Sequence, residues 1–234
     1  MIPEIECEAK QRGITRLCHF TPSRNLVHIL SGKVGVLATK HLEEDERRIF
    51  TPTDLERLDH HEGYICCSVQ YPNAWYFDNA QAKDTLFKDW VVLLINPKYL
   101  WQPGTRFCPR NAASAQGRNI VEGANGFLEL FSNSVLGAHG KTRSRSSRHF
   151  EFCPTDDQAE VLVPDQIQPN DILEIAVRSK EQAQNEMVRL KYAGISIDKL
   201  RFLVASKFFK KHELSNAIRT GILVKEELYT KIDT

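Results

Sequence analysis

"PTDDQAEVLVPDQI", Pro154 to Ile167, is the stretch whose reading decides the fold. It reads as a short β-strand, "AEVLVP", bounded by prolines. Strand side chains alternate between faces, so Gln158, Glu160 and Leu162 share one side and Ala159, Val161 and Val163 the other. The second set is core material. Glu160 therefore projects with Gln158 away from that core, at the strand entrance. Spacing alone leaves two readings. The residue is a charge at a sheet edge, where it would guard against aggregation, or it is a carboxylate delivered to a catalytic cleft.

The neighbouring segments supply the rest of a sheet. "LCHFT" (Leu17 to Thr21) is strand-like, and Ser23 is a natural N-cap for a helix through Asn25, Leu26, Ile29 and Leu30, stopped by Gly32. Residues 33 to 63 lack periodicity and read as loop, with a short helix near Asp54 to Leu58. "YICCSVQ" (Tyr64 to Gln70) is a second strand, stopped by Pro72. "WVVLLINP" (Trp90 to Pro97) is apolar throughout, which predicts a central strand. Residues 103 to 150 are rich in Gly, Ser, Asn and Arg and read as a long polar stretch, functional or mobile, with helical pieces around Gly126 to Phe131. Asp171 to Ser179 is a further strand. Ala183, Met187 and Leu190 mark an amphipathic helix, "RFLVASKFF" one more strand, and Glu213 to Thr220 a closing helix before Gly221. Strands and helices do not alternate regularly, so the expectation is an α+β fold in a single domain over residues 1 to 234.

Composition fits a globular chain that can bury a core: 41% hydrophobic, 26% charged, mean hydropathy −0.38. No apolar run approaches the roughly 18 residues of a membrane span, and the amino-terminal residues lack the apolar stretch of a secretion signal. A cytoplasmic protein is expected. The six cysteines show no metal-ligand spacing, so no metal is expected, and they read as small buried residues in a reducing compartment. The net charge of +1 hides local clusters. "KTRSRSSRH" carries Lys141, Arg143, Arg145 and Arg148 without an acid, a second cluster lies at Lys207, Lys210 and Lys211, and an acidic run spans Glu43 to Glu46. Local charge can attract phosphates whatever the total, although a solvated loop would look the same.

The pattern Gln-x-Glu at 158–160 resembles the catalytic strand of ADP-ribosyltransferases, and "CPTDDQAEVLV" resembles the DarT family, toxins that ADP-ribosylate bases in DNA. Further blocks are similar in the same order: "LCHFTPSRNLVHIL", "RLDHHEGYICCSVQYPNAWYF", "WVVLLINPKYLW" and "NAAS" at Asn111 to Ser114. The likeness spans residues 15 to 180, with Cys18 standing where the family more often has Tyr. It implies an ADP-ribosyltransferase-like fold with a central split β-sheet, an NAD cleft and peripheral helices. It implies NAD as ADP-ribose donor and Glu160 as the catalytic carboxylate that bonds the ribose 2′-hydroxyl and stabilises a developing sugar cation. His19, Thr21 and Asn25 would hold the cofactor, Ser68 would line the nicotinamide pocket and Tyr76 could stack there. Arg57, with Arg48 as runner-up, would contact the pyrophosphate or assist catalysis, since a planar guanidinium grips two phosphate oxygens. The basic segment would take single-stranded DNA, with thymine or guanine as acceptor. RNA as acceptor and a noncatalytic nucleic-acid-binding module on a degenerate transferase fold are the alternatives. An antitoxin that hydrolyses the mark is the expected partner, and no membrane is.

Overall fold

The computed structural model describes residues 2–31, 34–42, 59–84, 87–114, 116–137 and 140–230. The expected helix at Asp54 to Leu58, the stop at Gly32, the acidic run from Glu43 to Glu46, and both Arg48 and Arg57 lie outside them.

In chain order the elements are α1 (Ile2–Gln11), β1 (Leu17–Pro22), α2 (Leu26–Ser31), β2 (Val36–Leu37), β3 (Tyr64–Val69), α3 (Ala74–Lys83), β4 (Trp90–Ile95), β5 (Arg106–Cys108), β6 (Val121–Glu122), α4 (Gly123–Glu129), β7 (Ser134–Leu136), β8 (Thr142–Ser144), β9 (Glu160–Pro164), β10 (Gln166–Ile167), β11 (Ile172–Val177), α5 (Lys180–Tyr192), β12 (Phe202–Val204), α6 (Lys211–Thr220) and β13 (Glu227–Leu228). Among the described residues one sheet runs β13-β12-β11-β4-β1-β3-β9-β5-β6. Its pairings are antiparallel except β11 with β12. This is the α+β arrangement that the irregular element order predicted.

The apolar strand is central, as expected. Both neighbours of β4 are long strands, and its residues from Val91 to Ile95 are fully buried. Burying each such side chain contributes about 2 kcal/mol. The two faces feed two clusters: Val91, Leu93 and Ile95 pack with Val161 and Val163, while Val92 and Leu94 pack with Phe77, Phe208 and Leu214. Helix starts follow side-chain chemistry. Asn73 Oδ1 accepts from Tyr76 N at 3.0 Å to open α3, and Ser179 Oγ accepts from Gln182 N at 3.2 Å to open α5. Gly221, at φ 69°, ends α6 where the sequence predicted a stop.

Four expectations need correction. Ser23 is not an N-cap. It begins a 3-10 turn (Ser23–Asn25) ahead of α2, and its buried hydroxyl accepts from Arg189 Nη1 at 2.7 Å. The region 103–150 is no long loop, because short strands β5, β6, β7 and β8 and helix α4 organise it. "RFLVASKFF" divides into β12 and a 3-10 turn, Ser206–Phe209. The cysteines are all free but not all buried: Cys7 is exposed and Cys66 half-buried.

The sheet is split. β1 and β3 share only the pairs Leu17↔Val69 and Cys18↔Ser68, whereas β1 follows β4 for its whole length. Beyond Cys18 the two strands part. The wedge between them opens into a cavity.

Candidate active site

The cavity measures about 230 Å³ and is lined by β1, β3, α2, the 34–42 segment, the loop after β5 and the first residue of β9. His19, Thr21, Asn25, Ser68, Tyr76 and Glu160, read from separate parts of the sequence, all line it. The antiparallel register explains this convergence. β3 pairs with β9 up to Cys67↔Val161, so one further step brings Ser68 towards Glu160. Ser68 is also where β1 leaves β3. The corner of the wedge therefore gathers three strands.

Glu160 is not an edge charge. β9 lies between β3 and β5, Glu160 pairs with Cys108, and only 7% of its surface is exposed. Val161 and Val163 join the main core and Leu162 packs on Cys108 and Ala112, so the predicted alternation holds while both faces are covered. One carboxylate oxygen, Oε1, accepts from Asn111 Nδ2 at 3.1 Å. Asn111 opens the "NAAS" segment; sequence reading gave that block no side-chain role. Its signal was an amide within a polar stretch, too common a feature to single out. The thiols next to the carboxylate stay protonated. Burial pushes Cys108 up to about 12, with the Glu160 charge adding to it, and raises Cys67 as well.

His19 fills the gap where β1 and β3 diverge. Its Nδ1 lies 2.9 Å from Cys66 O. A carbonyl can only accept, so Nδ1 carries the proton and Nε2 of the neutral ring is an acceptor. Burial lowers the imidazole's pKa, against the opposing pull of the Cys66 carbonyl. Two residues along, Thr21 Oγ1 accepts from Asn25 Nδ2 at 2.9 Å, and Asn25 Oδ1 is buried without a partner among the described residues. Ser68 Oγ accepts from Asn73 N at 3.1 Å, which ties the strand end to the start of α3. Tyr76, half-buried on α3, stands 5.9 Å from Phe20 by ring centroid. Tyr71, the other aromatic of that block, is committed to the core against Phe152 and Phe208.

A ribbon roofs the cavity. β2 pairs with β10, and Lys40 Nζ and His41 Nε2 each lie 2.8 Å from Asp165 Oδ1. Gly35 fits beneath because it has no Cβ: at φ 68° an added one would stand 2.1 Å from Ile167 O. Asp59 and Tyr64 also line the cavity, both unassigned by sequence reading. The lining presents a carboxylate, an unpartnered amide oxygen and a neutral imidazole acceptor. Such an acceptor-rich wall suits a ligand bearing several hydroxyl groups, as the two riboses of NAD do.

The basic segment lies outside the cavity. Lys141 and Arg148 are exposed and Arg143 is half-buried on β8. Arg145 differs. Its Nη1 donates to Cys153 O at 2.8 Å and Thr155 Oγ1 at 3.2 Å, and its Nη2 donates to Phe150 O at 2.8 Å. That guanidinium holds the loop's own frame. Of the second cluster, Lys210 pairs with Glu213 and Lys211 with Asp78. Among the described residues no group of three or more His, Cys, Asp or Glu is placed to hold a metal ion, and no helix is long and apolar enough to cross a membrane.

Comparison with known proteins gives a family match over residues 18–209, to the model described as "ssDNA thymidine ADP-ribosyltransferase, DarT". Similar solved structures include Thermus sp. 2.9 DarT in complex with NAD+, with TM-score 0.52, 16% identity, and 83% of this chain and 97% of that one covered. Thermosipho africanus DarTG in complex with ADP-ribose gives TM-score 0.53 at 14% identity, covering 83% of this chain and 51% of that one. Thermus sp. 2.9 DarT in complex with ADP-ribosylated ssDNA gives 0.51 at 15%, covering 84% and 97%. At these identities the structural likeness speaks to the fold. No curated protein matches the chain.

Proposed function

The chain belongs to the DarT family of NAD-dependent ssDNA thymidine ADP-ribosyltransferases, and from that premise we propose how its cleft divides the work. NAD supplies an activated ribose whose bond to nicotinamide breaks with the electron pair leaving on the neutral base. Glu160 accepts the 2′-hydroxyl of that ribose and stabilises the positive charge that develops on the sugar. Asn111 orients the carboxylate. His19 accepts a hydroxyl of the adenosine ribose through Nε2, Asn25 Oδ1 takes another polar group of the cofactor, and Thr21 fixes Asn25. Ser68 and Tyr76 line the nicotinamide end. Arg57 serves the pyrophosphate or the base. The acceptor is thymine in single-stranded DNA, whose ring nitrogen forms the new bond to the sugar carbon as its N–H proton passes to solvent.

Lys141, Arg143 and Arg148 contact DNA phosphates, while Arg145 shapes the loop that carries them. We further infer that residues 1–234 act as one unit and that the enzyme is a toxin, paired with an antitoxin that hydrolyses the mark.

The observation that carries this reading is Glu160: nearly buried, held by Asn111 at 3.1 Å, and in one cavity with His19 and the unpartnered Asn25 oxygen. A degenerate binding module would have no need of that constellation. The test is incubation of the protein with NAD and single-stranded oligonucleotides that differ in base content, read by mass. Addition of one ADP-ribose to thymine-containing strands supports the reading. Labelling of thymine-free, guanine-containing strands, or of RNA alone, would change the acceptor. No labelling despite measurable NAD binding would sink the enzyme assignment.

A further inference from the structure

The family match ends at residue 209, yet the chain continues into α6, whose last turn meets the basic loop. A helix leaves its final carbonyls without intrahelical partners. Here Ile218 O accepts from Phe150 N at 3.3 Å and Arg219 O accepts from Ser146 Oγ at 3.0 Å. The negative end of the helix dipole thus sits against a segment carrying Arg145 and Arg148. Gly221 passes so close that an added Cβ would stand 2.6 Å from Arg148 O.

The same helix also reaches Asp157, beyond that loop and three residues before Glu160. Asp157 accepts from Ser215 Oγ and, at 3.2 Å, from Arg219 Nη2. Ser215 and Arg219 are four apart, so they share a helix face. Away from the loop, α6 is tied to α3, the helix that bears Tyr76. Lys211 Nζ lies 2.7 Å from Asp78 Oδ2, and the His212 ring stands 5.0 Å from Trp75. The tail beyond the helix is anchored by Glu226, which grips Arg16 at the start of β1.

We propose that α6 is a brace for the acceptor loop, and that Ser215 and Arg219 are positioning residues that act through Asp157 to set how DNA is presented to Glu160. This rests on the reading of residues 141–150 as the DNA-contacting loop. The Ser215, Arg219 and Asp157 contacts include no residue of the NAD cavity lining, so they bear on the acceptor half of the reaction.

Three measurements on the full chain test it, with a Ser215→Ala/Arg219→Gln double variant and an Arg219→Lys single variant. Loss of both Asp157 partners should raise the KM for a thymine-containing oligonucleotide about tenfold, the scale of a hydrogen bond to a charged group. NAD hydrolysis without DNA should stay within about twofold. Brief trypsin treatment should cut after Arg143 and Arg148 faster in the double variant, and Arg219→Lys should recover most of both effects. An unchanged oligonucleotide KM overturns the proposal. So does a parallel fall in NAD hydrolysis and DNA labelling, which would make α6 a plain stability element. If the wild type labels no oligonucleotide, the transferase reading and the presentation role fall together, and trypsin alone decides whether the helix holds the loop.

Discussion

Replacing Glu160 by Gln keeps the shape of the side chain and removes its charge. The amide can still accept from Asn111, so the 3.1 Å contact survives and the strand need not move. What disappears is a full negative charge in a nearly water-free corner, with 7% of the residue exposed. A unit charge about 4 Å from a developing sugar cation, at an effective dielectric near 20, is worth about 4 kcal/mol. Each 1.36 kcal/mol is about tenfold in rate, so kcat should fall roughly a thousandfold. NAD affinity should change little, because the ground-state ribose hydroxyl is a neutral partner that can accept from the amide NH2 as readily as it donates to a carboxylate oxygen. The assay is single-turnover transfer to a thymine-containing oligonucleotide alongside NAD titration by calorimetry. Activity within tenfold of wild type would refute the electrostatic role. A collapse of NAD binding with the rate would show that the residue holds the cofactor more than the transition state.

Glu226→Ala should destabilise the fold by about 3 kcal/mol, because it strands the buried Arg16 guanidinium; urea unfolding that moves by less than about 0.5 kcal/mol would contradict this. Arg16 is 11% exposed at its side chain, bonded to Glu226 and, through Nε, to Gln70 O at 2.8 Å, so its partners are few and defined. Gly35→Ala should weaken NAD binding about tenfold with a smaller loss of stability, since the clash with Ile167 O lifts the cavity roof. Unchanged affinity would mean that the β2–β10 ribbon plays no part in holding the ligand.

Acid should destabilise the protein from pH 6.5 downward. Burial lowers the pKa of both His19 and His149, so the unfolded chain binds more protons as pH falls below the ordinary value of 6.5. Their stabilising share is present above 6.5 and lost as pH drops towards the folded values. His149→Gln should flatten the slope of Tm between pH 5 and 7; an identical slope would refute the assignment.

Elements with an unambiguous pattern were legible in the sequence. The apolar run at Trp90 predicts β4 and its central place because no edge strand can bury every side chain. Asn25, His19 and Glu160 were visible as residue types within motifs. Their meeting was not visible, since β1, β3 and β9 are far apart in the chain and only antiparallel register brings Ser68, Glu160 and His19 to one corner. Asn111 was missed for the same reason: an amide gains a role when a strand places its partner 3.1 Å away. Ser23 misled because a good capping residue says nothing about Arg189, which arrives from α5 to take its hydroxyl.

The sequence by itself determined the alternation of β9, the apolar centre of the sheet, the helix stop at Gly221 and the family to which the motifs point, because these are local properties of neighbouring residues. Only the tertiary structure decided that β1 parts from β3 to open a cavity, that Glu160 is interior, that Arg145 frames its own loop, and that α6 contacts both that loop and Asp157. Each of those depends on partners distant in the chain. Such contacts leave no periodic trace in the sequence that could announce them.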